Sequence, residues 1–189
     1  TYLFRLRQDV TWHDGRPLTA DDVVFTLRSL QLLEAPGEPA VAAAWQDVLV
    51  DRIDDHTVRA TLPAPYAPFL SMARVPILPA HLLAGTPPDQ WAASPFAASL
   101  VGTGPYRLQE LRDDRALLTA NPRYHNSRPY IEQIELQFLA GPEAAQAALV
   151  RGDVTAFGAR LSPQLAALSL PGTLQAPVVP LDEYATLSF

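Results

Sequence analysis

Residues 100–108 read LVGTGPYRL, and two glycines around a threonine can form a turn whose backbone amides cradle phosphate. A phosphate loop of the Gly-Lys-Ser/Thr type also needs a lysine to neutralise its ligand. The chain has no lysine at all; its strong bases are all arginine. A dinucleotide-binding turn needs a further glycine three residues beyond Gly104, where Arg107 stands. The run that follows, YRLQEL, alternates like a strand instead of opening a helix. Phosphate chemistry has no support here.

Carboxylate pairs offer a second chemistry, because two acids converging on one bond can act as general acid and base. Asp21-Asp22, Asp54-Asp55 and Asp113-Asp114 are such pairs in sequence. Their neighbours place them at a helix start and two hairpin tips, where acids cap and form turns. The histidines His13, His56, His81 and His125 lack the spacings of a helical metal site. No Gly-x-Ser-x-Gly elbow is present, and zero cysteine removes thiol nucleophiles and disulfides. Neither catalyst nor cofactor nor metal is expected, and the chain reads as a non-enzyme.

The chain has 189 residues, 48% hydrophobic, which is enough for one sizeable core or two smaller lobes. A formal net charge of −6 with dispersed arginines argues against nucleic acid as a partner. No apolar run reaches the roughly 20 residues of a membrane span. Nineteen prolines suit many short elements joined by stiff loops. The chain begins and ends inside strand-like runs (YLFRLR and YATLSF), so it reads as a fragment.

Periodicity places the elements that would position these residues. Tyr2 to Leu6 alternates as a strand, and HDGRPL (His13 to Leu18) is a turn. Thr19 and Asp22 have capping-box spacing ahead of a helix from Ala20 to about Leu33. EAPGEPA is a loop; WQDVLVDRI and TVRATL form a hairpin across Asp54-Asp55-His56. A short apolar helix starts at Pro65, another short element ends at Gly85, and residues 86–100 are irregular. YRLQEL and ALLTA form a second hairpin, NPRYHNSRPY a loop, and IEQIELQFL a long strand. GPEAAQAALVRGD is a helix with Pro142 in its first turn and Gly152 as its stop. VTAFG, GTLQAPV and EYATLSF read as strands and SPQLAALSL as a short helix. The fold class is α/β, an α+β arrangement with mixed sheet.

Six stretches in order then carry a family resemblance. YLFRLRQDVTWHDGRPLTADDVVFTLRSL resembles the signature segment of the peptide and nickel class of ABC-importer solute-binding proteins, solute-binding protein family 5. DDHTVRATLPAPYAPFL, ILPAHLL, VGTGPYRL, NPRYHNSRPYIEQIELQFL and AALVRGDV are similar to later segments of that family. His125 stands where the family usually has tryptophan, and Thr155 where it usually has an acid.

The resemblance implies a fold of the periplasmic-binding-protein type II kind, of which this chain would be a partial lobe I. Residues 1–100 would be the smaller subdomain. Residues 101–189 would be part of the main sheet subdomain, ending near the hinge, with lobe II absent. The implied function is binding oligopeptides or a similar small solute outside the cytoplasm, periplasmic or lipid-anchored, for an ABC importer. Its partners would be the solute, the membrane permease and the second lobe. The alternative implied by such domains is the ligand-sensing part of a transcriptional regulator. Residues expected to face the solute are Trp45, Tyr66, Phe69, Arg74 and Val75. The Gly-Thr-Gly-Pro-Tyr run would be a structural joint: Gly102 and Gly104 supply permissive backbone, Pro105 fixes the entry and Tyr106 packs.

Overall fold

The computed structural model describes residues 1–32 and 39–156. They fall into two compact units, residues 1–136 and the part of 137–189 that is described. The expected helix SPQLAALSL and strands GTLQAPV and EYATLSF lie outside the described residues. So does the end of VTAFG, whose residues 154–156 form no strand.

The first unit opens with β1 (Tyr2–Arg5), whose residues alternate between half-buried and exposed. After the turn comes α1 (Ala20–Leu32). Ala20, Val23, Val24 and Leu27 recur at helical spacing and bury one face of α1. Next is α2 (Pro39–Trp45), where the sequence suggests loop running into strand. Its PAVAAAW core is alanine-rich and favours helix, and the strand starts only at Leu49. β2 (Leu49–Asp54) and β3 (Thr57–Thr61) form the expected hairpin.

These strands make a three-stranded antiparallel sheet in the order β1-β3-β2. Tyr2 faces Ala60 and Arg5 faces Thr57 across β1 and β3. On the exposed face, Asp51 lies directly opposite Arg59 and pairs with it at 2.8 Å. The other face takes α1. Val50, Val58 and Ala60 of the sheet join Ala20, Val23, Val24 and Leu27 of the helix, with Trp45, Val48 and Phe69 closing the core. Each such large side chain contributes about 1.5–3 kcal/mol by leaving water.

Two short helices follow, α3 (Phe69–Met72) and α4 (Ala80–Leu83). The first starts after Pro68 and not at Pro65: proline is tolerated ahead of a helix but removes a donor inside one. Residues 88–99 are less irregular than their composition suggests. A 3₁₀ turn over Pro88–Ala93 leads into α5 (Pro95–Ser99), each opened by proline. α5 ends at Leu100 in the left-handed conformation, φ 43°.

β4 (Tyr106–Leu111) and β5 (Arg115–Ala120) pair antiparallel with a bulge between Leu108 and Glu110. β6 (Gln133–Gln137) lies beside β5, completing a second sheet in the order β4-β5-β6. It is shorter than the alternating run IEQIELQFL, most of whose residues are exposed. In the second unit, α6 (Pro142–Arg151) has the expected bounds and stops at Gly152, φ 82°.

Candidate functional site

The turn between β1 and α1 is built by one buried carboxylate. Asp22 sits in the first turn of α1 and is 4% exposed. One of its oxygens accepts from the Thr19 amide at 3.0 Å and the Trp12 indole at 3.3 Å; the other accepts from the Ala80 amide at 2.9 Å. Only the Thr19 bond belongs to the expected capping box. The other two tie the helix start to the turn before it and to α4. Thr26, one turn further along, donates to the Asp22 carbonyl and accepts from the Leu78 amide, both at 2.8 Å. Asp22 is therefore a structural anchor and not one arm of a catalytic pair.

The turn itself needs glycine. Gly15 has φ 94°, and a side chain there would meet the Arg123 guanidinium at 3.1 Å. Beside it, His81 Nε2 lies 2.6 Å from Asp14 Oδ2, and the His81 ring stands edge-on to Trp12. Burial pushes the Asp14 carboxyl up, but the Arg16 amide and the His81 ring outweigh it and hold the group below its ordinary range. A carboxyl lowered by folding stabilises the folded state above its unfolded value and loses that contribution as pH falls through the folded value. Acid below about pH 4 should weaken the fold. Asp14→Asn should flatten that part of a urea-midpoint-against-pH curve; an unchanged curve would show that Asp14 is not coupled to folding.

The glycine stretch docks onto this turn through His13. The His13 amide donates to the Gly102 carbonyl at 2.8 Å, and the Gly102 amide donates to His13 Nδ1 at 3.1 Å. His13 Nε2 lies 3.1 Å from the Gly104 carbonyl. That carbonyl also accepts from Asn121 Nδ2 at 3.1 Å, while the Asn121 amide donates to the Pro105 carbonyl at 2.7 Å. Tyr106 anchors the next residue by donating its hydroxyl to the Ile131 carbonyl at 3.0 Å. Neither Gly102 nor Gly104 takes a left-handed conformation, and a Cβ at either would make only ordinary contacts. Hydrogen bonds, rather than permissive glycine backbone, hold this segment.

The residues expected to face a solute divide into two groups. Trp45 is 1% exposed and donates its indole N–H to the Met72 carbonyl at 2.8 Å. Phe69 is fully buried, its ring centred 4.7 Å from Trp45 and 4.9 Å from Tyr2. Neither offers surface to a solute: packing between α2, α3 and the first sheet uses them up. Tyr66 is 42% exposed, Arg74 is exposed, and Val75 is half-buried against the core. No ion pair among the described residues engages Arg74.

An open groove lies elsewhere, at the β2–β3 hairpin, lined by Arg5, Gln8, Arg52, Asp54, His56 and Thr57 among others. Its charges offset one another: Arg52 pairs with Asp55 and, at 3.2 Å, with Asp21. Asp54 accepts from the His56 amide at 2.8 Å, as a turn former does. Among the described residues no three His, Asp or Glu side chains come together as a metal site. No helix among them is long and apolar enough to cross a membrane.

Residues 1–188 match the family model described as bacterial extracellular solute-binding proteins, family 5 middle. Protein XP55 of Streptomyces lividans is 35% identical over 170 residues, covering 88% of this chain and 30% of that protein. The oligopeptide-binding protein AppA of Bacillus subtilis is 30% identical over 162 residues, 82% of this chain and 29% of AppA. Its solved structure in complex with a nonapeptide matches 81% of this chain and 31% of the AppA chain, with a TM-score of 0.70 at 28% identity. NikZ from Campylobacter jejuni in complex with Ni(L-His) matches with a TM-score of 0.69 at 27% identity, over 81% of this chain and 30% of NikZ. The chain thus spans less than a third of the length of these relatives.

Proposed function

The chain belongs to the bacterial extracellular solute-binding proteins of family 5, and from that premise we propose that it forms part of the solute-binding component of an ABC importer. The cargo is an oligopeptide, held outside the cytoplasm and passed to a membrane permease. The match of the family model across residues 1–188, with AppA among the relatives, carries this reading. Solute binding works by closing a protein around its ligand, with binding energy shifting an open–closed equilibrium. Catalytic groups are not required for that.

Within residues 1–136 the strands of the first sheet all precede residues 101–105 and those of the second all follow them, an order that suits a subdomain boundary near Leu100. Tyr66 and Arg74 lie exposed on the stretch between β3 and α4, and Val75 beside them is partly accessible. An aromatic ring and a guanidinium there suit a peptide's side chain and a carboxylate. The rest of the site comes from outside this chain, since relatives with the same middle segment are about three times as long.

The test is native mass spectrometry of the protein that carries this chain, purified without added solute. A co-purified mass that fragments into amino acids is the expected result. A nickel–histidine complex would keep the importer and replace the cargo. Titration of that protein with a peptide mixture should saturate at about micromolar concentration, which corresponds to about −8 kcal/mol. Residues 1–189 alone should show no saturable binding; micromolar affinity in that chain would overturn the division of the site.

A further inference from the structure

We infer that His13 is an acid-sensitive latch on the segment Gly102–Gly104, holding it only while the imidazole is neutral. The inference rests on the bond directions at one ring. A carbonyl can only accept, so the 3.1 Å contact with Gly104 requires the proton on Nε2. An amide can only donate, so the 3.1 Å contact from Gly102 requires a bare lone pair on Nδ1. The neutral Nε2–H tautomer satisfies both. An imidazolium carries N–H on both nitrogens and turns Nδ1–H against the Gly102 N–H. The backbone bond from the His13 amide to the Gly102 carbonyl survives, so protonation loosens the segment without expelling it.

Asp14 and Arg16 lie on the same turn, His81 reaches in from α4, and Arg123 covers Gly15 from the loop after β5. Asp22 is occupied by the Trp12, Thr19 and Ala80 donors. The two histidines differ in what they face: His81 Nε2 meets the Asp14 carboxylate, an acceptor, whereas His13 Nδ1 meets the Gly102 N–H, a donor. Acid therefore keeps the turn pinned to α4 while freeing the 102–104 segment from the turn. Because this segment leads from α5 into β4, its release loosens the tie between the turn after β1 and the start of β4.

Amide exchange measured by NMR on the full chain tests this, expressed as protection factors so that intrinsic pH effects cancel. Between about pH 8 and about pH 5, the span in which imidazoles take up a proton, protection at Gly102 should fall. The expected drop is about tenfold, the scale of one lost hydrogen bond. Protection at Ala80, held by Asp22, should stay constant. His13→Asn puts a neutral acceptor where Nδ1 was and should abolish the drop; His81→Gln should leave it in place. A flat profile at Gly102, a drop that survives His13→Asn, or one that vanishes in His81→Gln each overturns the latch. Ring nitrogen shifts of the unaltered chain provide a test free of variants. A proton on Nε2 at about pH 8 supports the latch, and a proton on Nδ1 refutes it.

Discussion

Asp22→Ala should cost about 4 kcal/mol, the sum expected when a buried carboxylate leaves its hydrogen-bond donors without an acceptor. Those donors are the Thr19 amide, the Trp12 indole and the Ala80 amide. Trp12 is 2% exposed, so water cannot readily replace the lost oxygen there. Against a total stability of about 5–15 kcal/mol, the loss puts much of the population at risk of unfolding. Asp22→Asn should recover less than half of it, because its NH2 group must face one of the same donors. Urea unfolding followed by tryptophan fluorescence measures both. A cost for Asp22→Ala within about 0.5 kcal/mol, the range of surface substitutions, would mean that the carboxylate does not anchor the turn.

Phe69→Ala should be comparably severe, about 4 kcal/mol, as for large core aromatics cut to alanine. The ring is fully buried between Tyr2 and Trp45, and the cavity left behind would open in the middle of the aromatic cluster. The substitution also separates packing from recognition. If Phe69 touched solute, its loss would weaken binding in a protein of unchanged stability. Expected instead is a lower unfolding midpoint with whatever affinity the folded fraction retains. Tyr66→Ala, on an exposed ring, should shift stability by no more than about 0.5 kcal/mol.

Much of the fold is legible where spacing is local. The alternation of Tyr2 to Arg5, the apolar stripe of α1 and the Pro142…Gly152 brackets of α6 each encode an element within a few residues. The family, too, is legible, because its short motifs recur in order. What sequence pattern does not carry is the long-range partner. Thr19 and Asp22 announce a helix start, yet the bonds from Trp12 and Ala80 span 10 and 58 positions. His13 looks like an isolated turn residue until Gly102 arrives beside it. An aromatic ring next to proline suits a core and a cleft equally, and only packing separated Phe69 from Tyr66. α2 was obscured by the strand-like residues after it, although its alanines favour helix.

The contacts of His13 also bear on the order in which the chain folds. Its ring partners lie 89 and 91 positions downstream. The hairpin of β2 and β3 closes over a turn of a few residues, whereas the His13 clasp closes a loop of about 90. A long loop costs chain entropy before its contacts repay it. The hairpin and α1 are therefore expected to form ahead of the clasp between the first turn and residues 102–104.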